Sequence, residues 1–377
     1  MKKSSISSIG IIIVLLLTTV AAGCISSGDE GTTTTAPTTV APTTTPEPET
    51  RVIVDMKGNE VEIPLVIEKV AMFGGPSGQI PHILGVQDTI CACSKGHKKS
   101  TLMAALDPHM MDIPAPRATN GVINVEELLM ADPDFVFAGP TDKEVVVTNT
   151  DYVVVDYMSE TDGRFADVKA EVTFFGMVYG KEEEAQEYCD YLDSVLALLS
   201  ERLSDLEQSE KVVVFNGYST NHLITCGGDT YMNERIEAAG CINAAAEVST
   251  LGQTEGIHSG LDEISMEQLL AWDPDIVIID TGVPDDIYDD TMWKDVSAVV
   301  NNQVYNQPNG MFIFNRPSAE SAVLYTLWLA TTAYPDRFSD ISIEDEIVRF
   351  YSEIFDYELS AEELAKVLDG SSAYVPC

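Results

Sequence analysis

A passage of this chain occurs twice, and that duplication restricts the possible folds more than any other feature. Residues 124–138 read NVEELLMADPDFVFA and return at 265–279 as SMEQLLAWDPDIVII. The identical pairs are Glu126/Glu267, Leu128/Leu269, Leu129/Leu270, Asp132/Asp273, Pro133/Pro274, Asp134/Asp275 and Val136/Val277, all at an offset of 141. A second echo sets Lys69–Gly74 against Lys211–Asn216 at an offset of 142. Each half therefore reads strand, further chain, helix, Asp-Pro-Asp, strand. Two similar α/β lobes in one chain imply a cleft between them, and a cleft implies a ligand.

The local chemistry of the repeat agrees. Asn124 and Ser265 are good N-caps, each followed three residues later by a capping-box partner, Glu127 or Gln268. Leu128, Leu129, Leu269 and Leu270 supply the apolar face of a short helix. Pro133 and Pro274 cannot continue it and push the preceding Asp out of the α region. The runs Phe135–Phe137 and Ile276–Ile279 have the length and continuous apolarity of parallel strands buried on both faces.

The N-terminus reads as an address. Lys2 and Lys3 precede an apolar run from Ile9 to Leu17, then small residues ending in Cys24. This is a signal peptide over 1–23 whose small-small-Cys ending resembles a lipobox, with Cys24 as the lipidated first residue of the mature chain. The apolar run is short for a spanning helix. Residues 24–50, rich in Thr and Pro, cannot offset their ordering entropy by burial and read as a stalk. No Asn-X-Ser/Thr sequon occurs, so any sugar there would sit on Thr. A domain tethered this way works on the extracellular face of the membrane.

Charge narrows the functions. The formal net charge is −40, from 61 acidic and 21 basic residues. A nucleic-acid partner, or an anionic membrane surface held by basic patches, is excluded on that ground. Beyond Cys24 there are six cysteines: Cys91, Cys93, Cys189, Cys226, Cys241 and Cys377. An external address permits disulfides, Cys226 with Cys241 among them, but spacing assigns no pairing. Cys91, Cys93 and His97 have a weak metal-site appearance; the plainer reading is strand residues beside a surface histidine.

The rest of the chain divides into an N-terminal lobe over 51–165, a linking helical segment over 166–208, and a C-terminal lobe over 209–377 that ends in helices. A hairpin is expected around Lys57-Gly58-Asn59, and strands at 70–73, 90–93, 153–155, 212–215, 304–305 and 311–314. The longest helical pattern runs from Lys181 to Glu207 through Leu192, Val195, Leu196, Leu199, Leu203 and Leu206, about 40 Å at the helical rise. Helices are also expected at 166–179, at 231–239, after Pro317, and near 344–356 and 360–369. The fold class is α/β: two Rossmann-like lobes joined by one long backbone helix, with the ligand cleft between.

In order along the chain, several motifs make it similar to the solute-binding lipoproteins that deliver ferric siderophores, haem or cobalamin to ABC importers (class III periplasmic binding proteins). They are the Asp55–Asn59 hairpin, the two repeat units, Ala238-Ala-Gly240 with Asn243-Ala-Ala, Trp293, Val304-Tyr305, and the block Arg316-Pro-Ser318, Trp328-Leu-Ala330, Tyr334-Pro335. The resemblance covers residues 51 to about 368. It implies limited hinge motion, a metal-chelate ligand, and one Glu per lobe docking to arginines of the permease, which with its ATPase would be the partner. Those residues would be Glu126 and Glu267, which sit beside the capping-box position; the alternative is acids complementing a helix dipole.

By the general rule for such sheets, the cleft lies beyond the carboxyl ends of the strands. That nominates Gly74, Gly75 and Ser77, whose amides lead into a helix N-terminus, together with Arg117 and Tyr157. From the second lobe it nominates Tyr218, Asn221 and His222, with Phe312, Phe314 and Arg316 completing the wall. Arginine forks suit carboxylate-bearing chelates, and aromatics suit a flat macrocycle. Arg316 has the alternative of an ion pair with Glu320 one turn on. Tyr157 and Tyr218 have the alternative of lobe packing.

The leading reading is capture of an iron chelate of the siderophore type by a monomeric, lipid-anchored binding protein without a cofactor. Corrinoid or haem is the alternative within the same fold. Direct binding of a bare metal by His82, His97, His109, His222 or His258 is a second, although these lack metal-ligand spacing. An enzyme is disfavoured by the absence of a Gly-X-Ser-X-Gly, Walker, His-Glu-X-X-His or dinucleotide motif. A surface adhesin or sensor would not call for the paired glutamates.

Overall fold

The computed structural model describes residues 49–157, 163–250 and 261–373. The leader, Cys24, the stalk up to residue 48, His258 and Cys377 lie outside those residues; Thr50, read as the end of the stalk, opens the first strand instead. Among the described residues no helix is long and apolar enough to cross a membrane.

The repeat becomes two sheets. Strands β1 (Thr50–Val54) and β2 (Glu60–Pro64) form an antiparallel hairpin ahead of both. The first sheet contains β3 (Val70–Met72), β4 (Ile90–Cys93), β5 (Phe135–Phe137) and β6 (Val154–Val155), ordered β4-β3-β5-β6 and all parallel. The second lobe supplies β7 (Val213–Gly217), β8 (Ile224–Thr225), β9 (Ile242–Asn243), β10 (Asp262–Glu263), β11 (Ile276–Ile279) and β12 (Val304–Asn306). Its main sheet runs β9-β7-β11-β12, again parallel, with β8 and β10 paired apart. The two orders superimpose strand for strand.

The Asp-Pro-Asp motif does more than stop a helix. Asp132 and Asp273 adopt left-handed conformations, φ 50° and 45°, that close the repeat helices Val125–Ala131 and Met266–Trp272. Asp134 and Asp275 then clamp the neighbouring strand. The Lys69 amide donates to the Asp134 carboxylate at 2.9 Å while the Asp134 amide donates to the Lys69 carbonyl at 2.8 Å. The Val213 amide and carbonyl make the same ring with Asp275, both bonds 2.8 Å.

These rings correct the second echo. Val70 pairs with Phe135 and Val214 with Ile276, so Lys69 corresponds to Val213 and not to Lys211. The offset is 144 in structure (214 − 70) against 142 in sequence. A slip of two residues preserves which face each side chain occupies, so the apolar pattern cannot report it. The leucine pairs also divide: Leu128 and Leu269 are fully buried, while Leu129 and Leu270 are 49% and 39% exposed. The expected strand at 311–314 is a tight turn closed by the Asn309–Ile313 bridge.

Helices Phe165–Tyr179 and Glu182–Leu203 join the lobes. The second is about 33 Å long, shorter than expected because it ends at Leu203. Gly180 between them is left-handed at φ 67°, the conformation a reversal of direction needs at a helix end. The helix Ala319–Ala333 is buried from Ala319 through Ala330 and packs against both linking helices and Tyr231–Ala238. Helices Ile343–Phe355 and Ala361–Leu368 follow. The tail returns to the first lobe: Ser100 Oγ lies 3.2 Å from the Gly310 carbonyl and 3.3 Å from that of Ser372. One core runs through the linking and terminal helices into both lobes, with a satellite cluster between each sheet and its repeat helix.

Asp134→Ala and Asp275→Ala should each lower unfolding free energy by about 1–2 kcal/mol in urea titrations, since each removes charge-assisted bonds to strand amides. Leu129→Ala and Leu270→Ala should stay within about 0.5 kcal/mol of the parent.

Candidate ligand-binding site

A cavity of about 360 Å³ opens at the carboxyl ends of β3, β5 and β6. Gly74-Gly75-Pro76-Ser77 leaves β3, Gly139-Pro140-Thr141-Asp142 leaves β5, Tyr157 follows β6, and Pro317 closes the cavity from the second half of the chain. Arg117 enters from an extended segment bridged to Ser94 and Ile123.

Close approach dictates glycine at position 74: a Cβ there would overlap the Tyr157 hydroxyl. That tyrosine is 3% exposed and lines the cavity, so its two sequence readings, packing and ligand contact, coexist. Burial raises its pKa well above the ordinary tyrosine value, and the hydroxyl keeps its proton. Gly75 faces the Phe312 ring, which stands edge-on to His97 at 6.3 Å between centroids.

Position 97 departs from the surface reading. His97 is fully buried, and Nε2 lies 2.7 Å from the Gly75 carbonyl. Only a donor satisfies that contact, so Nε2 carries the proton. Burial drives the pKa down to about 4 and the ring is neutral at ordinary pH. Its role is to hold the glycine loop.

Arg117 Nε donates to Asp142 Oδ2 at 2.5 Å. The ion pair orients the side chain through Nε, so the two terminal nitrogens remain the part of the fork suited to an acceptor in the cavity. Ser77 Oγ donates to Glu171 Oε2 at 2.9 Å. With Arg117, Asp142 and Glu171 in the wall, one positive and two negative charges meet there.

The remaining nominated residues are placed elsewhere. Tyr218 and Phe314 do not line the cavity; both are core, at 3% and 0% exposure, because they continue buried segments. Asn221 is exposed and donates to Glu263 at 3.0 Å. His222, buried beside the loop at Gly282, has its pKa lowered by that burial. Arg316 adjoins Pro317 without lining the cavity. Its expected partner Glu320 turns inward, accepting from Gln79 Nε2 at 2.6 Å, the Met311 amide at 3.1 Å and the Tyr351 hydroxyl. Burial lifts that carboxyl to about 8.

Glu126 and Glu267 are exposed at matching positions of the repeat helices. His82 pairs with Asp107 at 2.9 Å. Cys91, Cys93, Cys189, Cys226 and Cys241 are free thiols. Among the described residues no group of three or more His, Cys, Asp or Glu is placed to hold a metal ion. Asp142, Glu171 and Pro317 were not legible as site residues, although Gly139-Pro140-Thr141 after β5 echoes Gly75-Pro76-Ser77 after β3.

The sequence profile of the family described as "Periplasmic binding protein" matches residues 70–309. The Molybdate-binding protein MolA of Haemophilus influenzae is 24% identical over 330 residues, covering 81% of this chain and 91% of that one. Its molybdate-bound crystal structure superimposes with a TM-score of 0.69 at 21% identity, over 82% of this chain and 99% of the other, a likeness of fold. A periplasmic solute binding protein from Veillonella parvula gives a TM-score of 0.73 at 25% identity, over 86% and 98%. A Cobalamin-binding protein of Halobacterium salinarum is 29% identical over 189 residues, 48% of this chain and 46% of its own.

His97 and Glu320 bend the stability profile in opposite directions. His97 has a folded pKa of about 4 against an ordinary 6.5, so its contribution is complete above pH 6.5 and lost as pH falls toward 4. Glu320 has about 8 against 4.5, so its contribution is complete below pH 4.5 and lost as pH rises toward 8. Relative to the parent, His97→Gln should lose stability with rising pH between these limits, and Glu320→Gln should gain it. Urea melts across pH 4–8 measure both; parallel profiles for all three chains would refute the assignment.

Proposed function

The chain belongs to the periplasmic binding protein family, the solute-binding components of ABC importers, and from that premise we propose that its cargo is a compact metal chelate, an iron chelate of the siderophore type in the first instance. It is a binding protein and not an enzyme. The reading is carried by the mixed charge of the cavity. A chelate presents carboxylate or catecholate oxygens to the Arg117 fork, and protons or residual positive charge to Asp142 and Glu171. A bare dianion would face two carboxylates against one guanidinium. At about 360 Å³ the cavity lies toward the small end of the usual range for ligand sites, roughly 300–1,000 Å³. That favours a compact chelate over haem or a corrinoid.

A second reading is an oxyanion such as molybdate. It is favoured by the match to MolA across most of both chains, and by the glycine-loop amides beside Arg117. The partner would be the permease and its ATPase, met through Glu126 and Glu267. The protein would act as a monomer, held at the extracellular face by lipid on Cys24.

Calorimetry and thermal melts with ferric citrate-type and catecholate chelates, molybdate and cyanocobalamin test the cargo. A ferric chelate should bind at one equivalent and raise the melting temperature by mass action, and Arg117→Ala should weaken it at least tenfold. Saturable molybdate binding without chelate binding would replace the first reading by the second. For the partner, Glu126→Ala with Glu267→Ala should abolish uptake of the bound solute at unchanged affinity, and Cys24→Ser should release the protein from the cell surface. Normal transport by the double variant removes the docking assignment, and retention of the Cys24 variant removes the anchor.

A further inference from the structure

Arg235, on the helix Tyr231–Ala238, is 1% exposed, and none of its three side-chain nitrogens has a hydrogen-bond partner. The guanidinium carbon lies 4.8 Å from the centre of the Tyr231 ring, a cation–π contact that supplies no acceptor. Tyr231 commits its hydroxyl elsewhere, donating to the Asn315 carbonyl. The hydroxyls of Tyr188 and Tyr325 are also taken, by the Ala319 carbonyl at 2.8 Å and by Asn216 Oδ1 at 2.9 Å.

No carboxylate compensates the charge. The adjacent Glu234 turns away to accept from the Phe165 amide at 2.8 Å, and no ion pair to Arg235 is formed among the described residues. Burial lowers the affinity of the guanidinium for its proton, yet an arginine in a protein stays charged. An isolated buried cation is costly enough that proteins neutralise it, pair it or supply a counter-ion. Neutralisation is closed to arginine, and among the described residues no carboxylate pairs with it.

We propose that Arg235 forms a buried site for a small monovalent anion of the halide class, beside the Tyr231 ring. Its donors are all guanidinium N–H groups and the neighbouring wall is a ring surface, which suits a spherical ion of low hydration cost better than a polyatomic dianion. The site is linked to the ligand cavity through one short segment. Tyr231 holds the Asn315 carbonyl, and Pro317, two residues on, forms the cavity wall. The anion would thus be a structural co-ligand that fixes the second half of the cavity and does not compete with the cargo.

The test uses the folded protein at fixed ionic strength, with gluconate replaced stepwise by chloride or bromide so that general screening of the net charge is constant. The melting temperature should rise saturably by several degrees with either halide, and Arg235→Met should abolish the dependence. Crystals grown in bromide should show an anomalous peak within hydrogen-bonding distance of the guanidinium. Equal melting in gluconate and bromide, a halide effect that survives in Arg235→Met, or water alone at the position in bromide crystals would each overturn the proposal. Should Arg235→Met fail to fold, the bromide peak on the unmodified protein decides: present at the guanidinium it sustains the site, absent it removes it.

Discussion

The buried helix Ala319–Ala333 is the constraint on which the two lobes depend. A sheet lobe can cover its own faces, but a helix buried nearly all round has no solvent face and must be enclosed by several elements at once. Here the enclosing elements are both linking helices, the helix Tyr231–Ala238 and the Gln79 segment of the first lobe. Leu324, Leu327 and Leu329, buried without a gap, each stabilise by about 1.5–3 kcal/mol relative to exposure, and that apolar term resists separation of the halves. The polar groups at its N-terminus set direction. Glu320 binds Gln79 from one lobe and the Met311 amide from the other half, so a lobe displacement would strip a buried carboxyl of partners it cannot replace with water.

This explains why the cavity is asymmetric. The first lobe contributes the glycine loop, Asp142 and Tyr157 beyond the ends of one parallel sheet, and Arg117 from the extended segment beside it. The second half contributes Pro317 to the lining, while Phe312 stands against Gly75 of the glycine loop; both lie on the short connection that leads into the buried helix. The polar recognition groups therefore sit on a rigid sheet edge, and the closing surface sits on a segment whose position is fixed by Glu320 and Asn315. A ligand held by the first lobe would meet the second half over a distance limited by those ties and by the contact of Ser100 with the Gly310 carbonyl.

Much of this was legible in the sequence, and each departure has its own physical reason. The twin sheets followed from the repeat, because apolar strand runs, N-caps and the Asp-Pro-Asp stop are local signals. Arg117 stood out because basic residues are scarce, 21 against 61 acids. Asp142 and Glu171 did not, because a carboxylate carries no contrast in so acidic a chain. Tyr218 and Phe314 were placed in the cleft by their proximity to expected strand ends, but Tyr218 continues the buried strand β7 and Phe314 follows a turn that directs it into the core, where an aromatic gains more than on a solvated wall. His97 escaped for the opposite reason. A lone histidine between lysines reads as surface, and only the tertiary approach of the Gly75 carbonyl shows that it is an interior donor.

The net charge of −40 bears on capture as well as on solubility. Any anionic solute approaching such a surface is repelled at low ionic strength, and the barrier shrinks as the screening length falls from roughly 30 Å at 0.01 M salt to 8 Å at 0.15 M. Arg117, the cation lining the cavity, is tied through Nε to a carboxylate that offsets its charge at long range. On the proposed reading, affinity would depend on contact geometry and not on long-range steering. A saline exterior is then the medium in which the acidic shell costs least, and on the proposed reading the guanidinium fork, held in place by Asp142, would discriminate by shape once the ligand has entered.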